Sequence, residues 1–257
     1  MLPVPTVRRR HTAAGLHFLG SLSVFALLVG ILLLFWYPSP YFSASGGWQG
    51  LRLVAAVDLV LGPLVTLIIF NPAKSRRELA MDLGVVVLIQ VAALLWGIRA
   101  IYEQRPVAVA FLDSSFYTVP AAALTSQGVD LQMLDRFGVS HPVFVYVEKP
   151  VAGEALQRFE QRLEQDRIPP HEQAELYRPL SEHLSEVFGS SLDIDQIMQA
   201  FPDMRSGVER VLGDANGSRE DFRYLALTSR YRNILLIFDT DGTLIGTVSA
   251  PYKTGEV

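Results

Sequence analysis

The sequence predicts a membrane-anchored α+β protein: three N-terminal transmembrane helices, then a mixed α+β extracytoplasmic domain ending in antiparallel strands. Two observations lead there. Of 257 residues, 50% are hydrophobic and only 19% charged, and the mean hydropathy of +0.27 is too high for a soluble domain of this size. The apolar excess is also uneven, because residues 1–105 carry nine Lys/Arg against four Asp/Glu whereas residues 106–257 carry thirteen against twenty-two. A basic, apolar third thus precedes an acidic remainder large enough for one core. The expected division is a cytoplasmic segment at 1–15, a three-helix transmembrane region at 16–105 and a periplasmic α+β domain at 106–257. Zero cysteines exclude a disulfide framework, thiolate metal sites and cysteine nucleophiles.

Residues 16–37 contain no charged side chain beyond His17. At about 1.5 Å per residue they reach across a hydrocarbon layer of roughly 30 Å. The competing reading is a secretory signal peptide with Arg8, Arg9 and Arg10 as its basic region. The apolar stretch is longer than the usual h-region of about 7–15 residues, and Trp36-Tyr37-Pro38 stands where small cleavage-site residues belong, so an uncleaved anchor is expected. Residues 51–70 and 80–101 form two further spans, separated by Asn71-Pro72 and the basic residues Lys74, Arg76 and Arg77. The positive-inside rule places the N-terminal arginines and the loop at 71–79 in the cytoplasm, and the loop at 38–50, which lacks Lys and Arg, outside. Three spans then place residue 106 onward on the far side of the membrane. Trp36, Tyr37, Tyr41, Trp48, Trp96 and Tyr102 all map to that outer interface, where amphipathic rings concentrate. No internal period suggests a transporter built from inverted repeats.

Asp58 is costly within the second span, and an intramembrane carboxylate is a functional hypothesis by default. Counting inward along the second span and outward along the third puts Gln90 near its depth, so an Asp58–Gln90 hydrogen bond is expected. Gly62-Pro63 follows one turn later, where the missing proline N–H and the ring clash free a carbonyl near residue 59 and bend the helix. Asp58, Gly62, Pro63 and Gln90 are therefore the candidate intramembrane packing or partner-contact residues, with plain helix–helix packing as the simpler role and ion or proton handling as the sharper one. Asp82 complements the N-terminal dipole of the third helix and is expected to face Arg76 and Arg77.

In the outer domain, residues 107–112 and 143–147 have the apolar, β-branched and aromatic content of buried strands. From Val151 the period lengthens: Ala155, Leu156, Phe159 and Leu163 predict one amphipathic helix, and Leu176, Leu180, Leu184 and Val187 a second. A shorter helix is expected around 193–200, followed by strands at 222–228, 232–238 and 244–249. Strands and helices mix without a regular βα repeat, which favours an α+β domain.

Asp239-Thr240-Asp241-Gly242-Thr243 after an apolar run matches the nucleophile strand of haloacid-dehalogenase-type phosphatases, where the first aspartate attacks phosphorus and magnesium neutralises the phosphate. Too little chain follows for the rest of that site, and Asp-Gly between two apolar strands is also a strong hairpin signal, which is the preferred reading. His171, Glu175, His183 and Glu186 have metal-ligand chemistry but no tight spacing, and they fit the wet face of a helix equally well. Ser114-Ser115 lacks a neighbouring base, and Asn216-Gly217-Ser218 is more simply a turn than a glycosylation site. No cofactor and no metal is expected, and the net −9 of residues 106–257 argues against a nucleic-acid partner.

Three blocks carry a family resemblance: LLFWYPSPYF at 33–42, VDLVLGPLVTLIIFNPAKSRRELAMDL at 57–83 and RPVAVAFLDSSFYTVPA at 105–121. The chain resembles the type IV pilin accessory proteins of the TfpX/TfpZ kind, most specifically over residues 16–120, with YRNILLIFDTDGTLIGTV similar to the family's terminal strands. The matching positions are Trp36, Tyr37, Pro38, Asp58, Gly62, Pro63, Asn71, Pro72, Asp82, Gln90, Arg105 and Pro106. The resemblance implies a non-enzymatic inner-membrane factor that assists stability, assembly or dynamics of a cognate type IV pilin. The expected partners are that pilin and the lipid bilayer, with self-association open. A membrane-anchored periplasmic ligand sensor is the alternative, and the phosphatase ranks below it.

Overall fold

The computed structural model describes residues 4–71 and 73–250; Pro72 and the Arg8 side chain, both named above, lie outside the described residues. The chain divides into two compact units, Met1–Phe42 with Gly46–Tyr102, and Ser43–Ser45 with Glu103–Val257.

The first unit contains three helices long and apolar enough to cross a membrane, at Arg9–Trp36, Gly47–Ile69 and Arg76–Glu103. We call them α1, α2 and α3. The last turn of α1, Leu32–Trp36, is a π turn closed by Tyr37 N–H donating to the Leu32 carbonyl at 2.8 Å. Two residues at this end are fixed by a buried hydrogen bond and by ring contacts. The Tyr37 hydroxyl is buried and donates to the Ile101 carbonyl at 2.7 Å, satisfying a carbonyl near the end of α3. Trp36 meets Tyr102 edge-on at 4.8 Å, while Phe42 packs edge-on against both Tyr37 and Trp48. Leu28, Leu32, Leu51, Val54 and Ile101 fill the space beneath this aromatic cluster.

At the other end, Ser75 and Glu78 form a reciprocal cap on α3. The Ser75 hydroxyl accepts from Glu78 N–H at 3.3 Å, and Ser75 N–H donates to Glu78 Oε2 at 2.9 Å. Asp82 pairs with Lys74 rather than with Arg76 or Arg77, because Lys74 lies on the turn that feeds the helix.

The second unit is built on one mixed seven-stranded sheet. Its strands are β1 (Pro106–Leu112), β2 (Ser115–Pro120), β3 (Val143–Val147), β4 (Tyr177–Pro179), β5 (Arg223–Thr228), β6 (Asn233–Phe238) and β7 (Leu244–Ala250), in the order β4-β3-β1-β2-β5-β6-β7. β1 and β6 are buried along their whole lengths, which explains why both are continuous apolar runs rather than alternating ones. β1 pairs antiparallel with β2 and parallel with β3; β2 pairs parallel with β5; the remaining neighbours are antiparallel. One face of β1 and β3 packs Ala108, Ala110, Leu112, Val143 and Val145 under the short helix α4 (Ala121–Thr125), the 3-10 turns at Leu131–Phe137 and partly buried Phe159 of α5 (Gly153–Glu164). The opposite face is aromatic, with Phe116 at 5.1 to 5.8 Å from Phe111, Phe144 and Phe238. Over β5 to β7 lie α7 (Ile194–Ala200) and α8 (Arg205–Asp214), which bury Met198, Val208 and Leu212 against Tyr224, Leu235 and Ile237.

The expected helix through Leu176, Leu180, Leu184 and Val187 is not one element. Pro179 has no N–H to give a helix, and Tyr177–Pro179 instead pairs with β3 as the edge strand β4. Two 3-10 turns flank it, and only Leu184–Gly189, α6, is helical. β2 and α8 are further elements that the sequence pattern leaves unassigned.

Candidate functional site

Asp58 lies at the midpoint of Gly47–Ile69, and Gln90 at the midpoint of Arg76–Glu103. The second helix begins earlier than composition alone suggests, so Asp58 lies nearer the middle of the helix than a count from Leu51 gives. It occupies a π turn, Ala56–Leu61, that ends immediately before Gly62-Pro63. The proline ring would otherwise crowd the carbonyl four residues back, at Leu59, and the wider π turn accommodates it.

This turn also moves the helix register. Above it, α2 and α3 approach where a Cβ on Gly50 would meet Ile101 at 2.9 Å and one on Gly97 would meet Val54 at 3.5 Å. Below it, a Cβ on Gly62 would collide with the amide of Gln90. From Val54 to Gly62 is eight residues, whereas Gly97 to Gln90 is seven. The Val54–Gly97 contact alone sets Gln90 opposite residue 61, and the π turn shifts it by one more, so Gln90 lies beside Gly62, four residues beyond Asp58. The expected Asp58–Gln90 hydrogen bond does not form, and the Gln90 Oε1 is buried without a partner.

Asp58 is only 5% exposed and is in electrostatic range of His17 on α1. His17 Nδ1 is 2.6 Å from the hydroxyl of Thr66, which is itself buried. His17, Asp58, Thr66 and Gln90, with Ser21, line a cavity of about 540 Å³ whose other walls are apolar. All three helices therefore contribute a polar side chain to one locus. His17 and Thr66 are its unforeseen members; the signal available in the sequence was a lone histidine within an apolar run.

The other motifs resolve into structural roles. Asp239 Oδ1 accepts from the backbone N–H groups of Asp241 and Thr243 at 3.0 and 2.8 Å, and Gly242 has φ +88° in the β6–β7 hairpin loop. His171 stacks on Tyr117 at 4.7 Å, and burial pushes its pKa down to about 4. His183 stacks on Tyr146 at 4.0 Å and lies 3.3 Å from Glu186, whose carboxyl is held low by hydrogen bonds with Tyr146 and His183. Glu175 pairs with Arg162. Among the described residues, no three acidic or histidine side chains gather into a metal-binding group. A groove of about 680 Å³ beside α5 is rimmed by cations that are already neutralised, Arg162 by Glu175, Arg178 by Glu148 and Lys149 by Asp113.

Residues 5–46 match the family model described as "Fimbrial assembly protein FimB". The chain is 43% identical over 102 residues to a Dichelobacter nodosus fimbrial assembly protein of serogroups C1 and C2, a stretch covering 39% of this chain and 78% of that protein. Two others from the same organism are similar: serogroup I at 42% over 98 residues, 38% of each chain, and serogroup E1 at 40% over 102 residues, 39% of this chain and 40% of that one. The match spans about two fifths of the length of these last two. No solved structure matches.

Proposed function

The chain belongs to the family of fimbrial assembly proteins, and from that premise we propose that it is a non-enzymatic inner-membrane accessory factor acting on stability, assembly or dynamics of a cognate type IV pilin. The observation that carries this reading is the 43% identity over 78% of a relative bearing that description. Three helices long and apolar enough to span a bilayer support a membrane location. The distribution of Lys and Arg supports a cytoplasmic N-terminus at 1–15, a spanning region at 16–105 and a periplasmic domain at 106–257.

A pilin waiting in the membrane presents an apolar helix and a periplasmic head. This chain offers surfaces at both levels: the α2 bend around Asp58, Gly62, Pro63 and Gln90 for the helix, and the acidic sheet domain for the head. Removing the chain from its own cells tests the role. The expected result is a fall in surface pili or in membrane pilin that the full-length chain restores; unchanged piliation and pilin levels would contradict it.

A further inference from the structure

We propose that the cavity between α1, α2 and α3 is the docking groove for one membrane-spanning helix of the pilin, which brings a hydrogen-bond donor to Asp58. This rests on the assembly role above and adds the face, the depth and the chemistry of the contact. Asp58 is buried, and no hydrogen bond from a described residue reaches its carboxylate, since the Thr66 hydroxyl is engaged with His17 and the Gln90 amide lies against Gly62. At mid-depth no bulk water can supply the missing donor, so a carboxyl left this way is a strong incentive to bind one.

The shape of the groove selects its occupant. One wall is α1 from Ala13 to Val24 and the other α3 from Leu83 to Leu94, each about 16 Å long, or three helical turns. Ala13, Gly20 and Ser21 keep the α1 wall low, which lets a second backbone come close. A bare cation needs several oxygen ligands, whereas Asp58 is the one carboxylate lining this cavity, beside His17, Ser21, Thr66 and Gln90. A single apolar helix with one donor side chain at mid-depth satisfies both the length and the charge.

The test is photo-crosslinking of the full-length chain in its own cells. The crosslinking residue is placed at Leu16, Val87 or Val91 in the groove, and at Leu34, Leu88 or Leu95 on outward faces. Groove positions are expected to capture the pilin at least tenfold more than outward ones. Asp58→Leu should lower that capture tenfold or more, while Asp58→Asn, which retains an acceptor, should stay within threefold of the parent. Equal capture from both faces, indifference to Asp58→Leu, or crosslinks only to lipid or to another copy of this chain would overturn the proposal. Should Asp58→Leu fail to accumulate, the position map and Asp58→Asn still decide. Normal pili in cells lacking the chain would sink the assembly role itself, whatever the crosslinks show.

Discussion

Acidification should destabilise the sheet domain through His171, and the effect can be sized from the structure. The ring stacks on Tyr117 of β2 with only 20% of its side chain exposed, and burial lowers its pKa from 6.5 to about 4. Because the folded value lies below the unfolded one, the unfolded chain binds more protons as pH falls through 6.5. The stability this neutral histidine contributes is present above pH 6.5 and lost progressively down to about 4. That interval corresponds to about 3 kcal/mol, an upper figure because the exposed fifth of the ring is screened by solvent. Neighbouring Glu172 acts in the opposite sense, since burial raises its carboxyl and its protonation favours the fold. A comparison with His171→Phe, which keeps the stacking on Tyr117, isolates the histidine. Denaturant unfolding of both full-length proteins in the same detergent, from pH 8 to pH 4, should show the variant gaining about 2–3 kcal/mol relative to the parent as pH falls. A stability difference that stays flat across that range would refute the argument that His171 is buried neutral.

Other substitutions separate structural from chemical roles. Asp239→Ala removes the acceptor for two loop N–H groups and should cost about 1–2 kcal/mol in unfolding experiments, whereas Asp239→Asn keeps an oxygen there and should be nearly neutral. Tyr37→Phe deletes the buried bond to the Ile101 carbonyl and should cost about 1 kcal/mol or more, read as a lower melting temperature in detergent. Gly62→Leu should force the Gln90 side chain out of its place, lowering the amount of chain retained in the membrane on immunoblots. With no cysteine in the sequence, reductant should leave the melting temperature unchanged.

Elements that bury both faces were legible in the sequence, because continuous apolar runs need no knowledge of partners. β1 and β6 are of this kind, and β3, half-buried on one face, is legible from its valine and aromatic content. β2 was not, since Ser115 and Thr118 dilute its apolar content, and its position is fixed by the turn at Asp113 (φ +58°) and by pairing with β1. Leu176, Leu180 and Leu184 keep helical spacing for a different reason: Leu176 and Leu180 sit in the two turns that flank an edge strand paired to β3, and Leu184 begins α6. At the candidate site, the composition of α2 pointed to a distortion near Leu59, and the π turn lies there. The register between α2 and α3 could not be read in advance, because it depends on how α3 packs against Gly50, Val54 and Gly62. His17 joins the cluster through tertiary placement alone.

The central claim is that this chain engages a pilin in the membrane. It is tested most directly by crosslinking intact cells, purifying the full-length chain and probing for the pilin, alongside a variant lacking residues 106–257. Recovery of the pilin with the full-length chain is the predicted result, weakened but still present in the truncated one because the helical groove remains. A full-length chain that accumulates normally in piliated cells yet brings down no pilin would contradict the account.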